Sequence, residues 1–129
     1  MATDDEVRLV VPSSPEFVRL ARVTASGLAS RLGFGFDEIE DLRLAVDELC
    51  HAVIGASGRP GALSLRFVLD GNELCVEGTG HFDPGGPPVA LSQLSRQILT
   101  ALVDRHDVRP DEDGRPVVWI RKRPVRSGQ

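Results

Sequence analysis

IEDLRLAVDELCHAVI, Ile39 to Ile54, is the stretch that decides the fold of this chain. Ile39, Leu42, Val46, Leu49 and Val53 recur at spacings of three and four, the apolar stripe of a helix with one buried face. Asp37 followed by Glu40 has the form of a capping box. Gly55 and then Ser57-Gly58-Arg59-Pro60 stop the helix. Glu48 and Ala52 fall one turn apart on one face, while Arg43, Asp47 and His51 line a neighbouring edge that reads as solvated.

Working outward, Glu6 to Val11 alternates, with Val7, Leu9 and Val11 on one side, and predicts a first strand. Pro12-Ser13-Ser14-Pro15 breaks it. Ser14 as N-cap with Pro15 at the first helical position starts a helix that Phe17, Leu20, Ala21, Thr24, Leu28 and Leu32 continue. Gly33-Phe34-Gly35 separates this helix from the next. Leu63, Leu65, Phe67 and Leu69 alternate with Ser64, Arg66, Val68 and Asp70, a half-buried strand. Asp70-Gly71 signals a hairpin, and Leu74 to Thr79 returns as its partner. Pro84 to Pro88 reads as a loop, Leu91 to Val103 as a third helix, and Val117 to Arg123 as a last strand after Gly114. The order β-α-α-β-β-α-β, with a hairpin at its centre, predicts an α+β two-layer sandwich of a single domain over residues 1–129.

Composition narrows the function classes. The 129 residues are 41% hydrophobic and 26% charged, with a net charge of −4, which gives no general bias toward nucleic acid. The basic run Arg121-Lys122-Arg123 with Arg126 reads as the end of a strand and a tail. No apolar run approaches the roughly 20 residues of a membrane span, and no secretory leader opens the chain. Cys50 and Cys75 lie in apolar patterns, as reduced core thiols of a cytoplasmic protein do. There is no Gly-Lys-Ser/Thr phosphate loop and no serine nucleophile elbow. His51, His81 and His106 are too scattered to mark a metal site. The segment Glu77-Gly78-Thr79-Gly80-His81-Phe82-Asp83 could bring backbone close to a ligand, although a plain turn has the same composition.

Four stretches carry a resemblance: FVRLARVTA (Phe17 to Ala25), DLRLAVDELCHAVI, VEGTGHFDP and LSQLSRQILTALVDRHDV. In order and spacing, from Val7 to Arg123, the chain resembles the cytosolic anti-sigma factors of the switch-kinase type. These belong to the GHKL ATPase superfamily. The resemblance implies a Glu in the second stretch that acts as general base toward a substrate serine, and an Asn four residues on that helps bind Mg²⁺ with ATP. Glu48 holds the first position and Ala52 the second, where a methyl cannot ligate a hard cation. The family's adenine-binding Asp is matched by Glu77. The glycines that let nucleotide approach the backbone are matched by Thr79 and His81, whose side chains are expected to intrude. The Gly-x-Gly that gives amides to the phosphates is matched by Gln93 and Ser95.

These departures imply a fold kept and a nucleotide pocket given up, with no metal and no resident cofactor. The resemblance also implies partners: an alternative sigma factor, an anti-anti-sigma protein of the STAS type, and a second copy in a homodimer. Arg22 matches a family arginine that contacts both partners, and Glu16 and Arg19 flank it on the exposed face. Three roles stand open: an anti-sigma factor acting by binding alone, an active ATP-dependent serine/threonine kinase of the same family, and a pseudo-ATPase adaptor that binds regulatory partners but no sigma factor.

Overall fold

The computed structural model describes residues 5–84 and 86–125; Arg126 of the basic tail lies outside them. The elements run β1 (Asp5–Pro12), α1 (Val18–Arg31), α2 (Phe36–Ile54), β2 (Gly61–Asp70), β3 (Glu73–Phe82), α3 (Gln93–Leu102), β4 (Arg105–Pro110) and β5 (Pro116–Lys122). A 3₁₀ turn, Pro15–Phe17, leads into α1. The five strands form one sheet in the order β1-β2-β3-β5-β4, and every neighbouring pair is antiparallel. The expected α+β class holds, but the expected order lacked one strand. The segment RHDVRP places charged or polar residues at alternate positions and stays largely exposed. It is an edge strand that pairs only with β5, so no apolar pattern announces it.

Strand parity separates two faces. Leu63, Leu65, Phe67, Val76, Val118 and Ile120 are buried on the face that meets the helices. Leu42, Ala45, Val46, Leu49 and Val53 of α2 bury against them with at most 2% exposure. Each such large side chain contributes about 1.5–3 kcal/mol of transfer free energy. α2 lies closest over β3 at Gly78, where an added Cβ would stand 2.5 Å from Leu49 Cδ2. A glycine is what allows that approach. Among the described residues, no helix packs on the other face of the sheet.

Helix starts differ in detail from expectation. α2 begins at Phe36, and Glu38 Oε1 accepts from the Gly35 N–H at 2.8 Å. Gly35 has no side chain to return the bond, so half a capping box is made, two residues ahead of the Asp37/Glu40 pair. Ser14 makes no side-chain cap; its hydroxyl donates instead to Glu16 Oε1 at 3.0 Å. α3 is capped by Ser92, whose hydroxyl accepts from Ser95 N.

Candidate functional site

α2 has two flanks. Toward α1, Arg22 Nη1 donates to Asp47 Oδ1 at 2.6 Å. Both side chains remain about one-third exposed, at 30% and 38%. Glu16 and Arg19 are exposed near the start of α1. Leu20 and Val23, 46% and 62% exposed, lie on the same outward side. Arg22 is thus held in position by Asp47 and still partly exposed, on a helix that also leaves apolar side chains uncovered. Asp47 was read only as part of a solvated edge. Its pairing with Arg22 spans 25 residues and leaves no local pattern in the sequence.

Toward α3, Ser95 Oγ donates to Glu48 Oε2 at 2.6 Å. The Ser95 N–H goes to Ser92 Oγ at 3.0 Å. Gln93, in the same first turn, is exposed. Ala52 offers only a methyl at the position where the resemblance implies a metal-binding Asn, and one oxygen of Glu48, the general-base position, is taken. No group of three His, Cys, Asp or Glu able to hold a metal ion occurs among the described residues.

Further along β3, Phe82 lies over Gly80 on the helix side. A Cβ on Gly80 would collide with the Phe82 ring, which packs partly buried against the core. The Arg59 guanidinium lies 4.0 Å from the centre of that ring. Its Nη1 donates to the Pro87 carbonyl at 2.7 Å, which ties the Gly/Pro loop down. A cavity of about 320 Å³ remains between Arg59, Phe82, Pro87, Val89 and Pro116, and neither Glu48 nor Ala52 lines it.

Glu77, Thr79 and His81 do not join Glu48. β3 runs on to Phe82, so these odd-numbered residues point to the face without helices. There they line a separate cavity of about 240 Å³ with Arg8, Arg66 and Asp111. Glu77 accepts from Arg66 Nη1 at 3.0 Å and from Arg109 Nη2 at 2.7 Å. Glu6 extends the row by bonding Arg66 and Arg8. Arginines on both sides, with hydrogen bonds from Arg8 and Arg66 foremost, hold the Glu6 carboxyl below its usual pKa. The side chains of Thr79 and His81 therefore do not crowd the cleft, as they had been expected to.

Both cysteines are buried and free. Burial pushes the Cys50 thiol up to about 12, with the charge of Asp47 adding to it. Burial raises Cys75 as well, although it sits on the helix-free face and not in the core between the layers. No helix among the described residues is long and apolar enough to cross a membrane.

No protein-family model matches the chain. It is 42% identical to the serine-protein kinase RsbW of Bacillus licheniformis over 127 positions, covering 83% of this chain and 79% of the relative. The RsbW serine-protein kinase of Halalkalibacterium halodurans is 39% identical over 125 positions, with 83% and 77% covered. This chain belongs to the RsbW family. The RsbW serine-protein kinase of Bacillus pumilus is 40% identical over a shorter match of 89 positions, 63% of this chain and 55% of the relative, so that match spans about half of the relative's length. In this RsbW-family member, Glu48 and Ser95 meet across the α2–α3 cleft, and Arg22 stands on the opposite flank of α2.

Proposed function

We propose that this RsbW-family chain is an anti-sigma factor that sequesters an alternative sigma factor by binding alone. A STAS-type anti-anti-sigma protein releases it by competing for the same surface, without phosphate transfer. The reading takes the fold as GHKL-type, the working unit as a cytoplasmic homodimer of single domains, and Mg-ATP as having no role. One observation carries it: the Glu48 carboxylate is hydrogen-bonded to Ser95 of its own chain, beside Ala52, which has no oxygen. Phosphoryl transfer depends on positioned metal and donors that neutralise the phosphates. Here the residues facing the cleft do not fit that task. The binding surface is Arg22 with Glu16, Arg19, Leu20 and Val23.

Co-expression with candidate sigma factors and STAS proteins tests the proposal. A sigma complex of equal affinity with and without Mg-ATP, and no phosphate in the STAS partner, is the expected result. Labelled phosphate appearing on a serine of that partner would favour the second reading, an active serine kinase with Glu48 as base. That reading draws on the relatives, which are named serine-protein kinases.

A further inference from the structure

The first N–H groups of a helix lack intrahelical partners and carry partial positive charge, which makes a helix start a place for an anion. In α3 this place is taken from inside. Ser92 Oγ accepts from the Ser95 N–H at 3.0 Å. The Ser95 hydroxyl, 3.1 Å from Ser92 Oγ, donates at 2.6 Å to the half-buried carboxylate of Glu48. A negative charge from α2 thus reaches the positive end of α3 through one hydroxyl.

A second observation gives this contact weight. Leu99 is the one buried residue of α3, and it sits in the helix's C-terminal half. The first turn, with Gln93 and Leu94 exposed, has no apolar anchor of its own. Arg96 points away, to Asp107 on β4 at 3.5 Å. The Glu48–Ser95 bond ties that turn to α2, alongside Leu91, buried just before the helix, and the Arg96–Asp107 ion pair to β4.

We propose that Glu48 and Ser95 form an interhelix latch in which the Glu48 carboxylate is the resident anion of α3, fixing its first turn against α2 and shutting phosphate out of it. Glu48 is then a positioning residue. The inference rests on the reading that no phosphate is transferred, and it makes a separate demand on the molecule.

Amide hydrogen exchange on the full chain tests it. Ser95→Ala and Glu48→Ala should each speed exchange of the amides of residues 95–98 about tenfold, as loss of a charge-assisted hydrogen bond predicts. The double variant should add little, because both changes remove one contact. Ser95→Thr, which keeps the hydroxyl, should stay near the unmodified chain. Amides of β3 should be unchanged throughout, which shows that the variants fold. Millimolar inorganic pyrophosphate should leave α3 exchange in the unmodified chain unaltered. Unaltered exchange at 95–98 in either alanine variant, or protection of α3 by pyrophosphate in the unmodified chain, would overturn the latch. Phosphate incorporation into a STAS partner reads the proposed function independently, so the two can fail apart.

Discussion

The two flanks of α2 are built differently. On the α1 side, Arg22 is steadied by Asp47 but still about one-third exposed, and Leu20 and Val23 of the same helix are uncovered. On the α3 side, Glu48 is closed onto Ser95. Both flanks hang on the same buried stripe from Leu42 to Val53. Under the proposed function, one flank loses its chemistry while the other keeps a docking surface. Helical periodicity separates the two sets of side chains, and the stripe between them fixes the backbone for both.

The harshest way to break the contrast is to remove what both flanks share. Leu49 is fully buried and lies against Gly78. Leu49→Ala should cost about 2–5 kcal/mol in urea unfolding, and sigma binding should fall only with the folded fraction. Arg22→Ala should separate the flanks. We expect at least a tenfold loss of partner affinity, about 1.4 kcal/mol or more, since arginine anchors carry disproportionate binding energy. Unfolding free energy should change by less than about 1 kcal/mol, the usual limit for an exposed pair. Pull-down binding that survives the change would remove Arg22 from the surface.

The core between the flanks offers a pH test. Cys50 is raised from 9.0 to about 12 in the folded chain, chiefly by burial. The neutral thiol is thus favoured by folding, and its contribution is full below pH 9 and lost as pH rises toward 12. Native protein at pH 8 should leave Cys50 unlabelled by iodoacetamide, and unfolding in urea should expose it. The smallest expected effect belongs to Ala52→Asn. Restoring that oxygen alone should give no saturable Mg-ATP binding by calorimetry, because Glu48 stays bound to Ser95 and Ser92 still caps the first turn of α3.

Much of the fold was legible. The α2 stripe, the alternation of β2 and the Asp70-Gly71 turn each state their element locally, and Gly71 takes the positive φ of 63° that the turn requires. β4 was not legible, because an exposed edge strand with alternating charge leaves no apolar signal. The site was legible by position and not by direction. Glu48 and Ser95 meet across one cleft, whereas Glu77, Thr79 and His81 were assigned to the same pocket by the family resemblance, with the strand expected to end at Thr79. Three more residues of strand fix their parity and turn them to the other face. The contacts that define each flank, Arg22 with Asp47 and Glu48 with Ser95, join residues 25 and 47 apart. They depend on tertiary placement, which no short pattern records.

The central claim is that the docking flank was kept while the nucleotide flank was closed. Calorimetric titration of the unmodified chain with Mg-ATP tests it most directly. The account predicts no saturable heat up to millimolar nucleotide. A micromolar dissociation constant would contradict it.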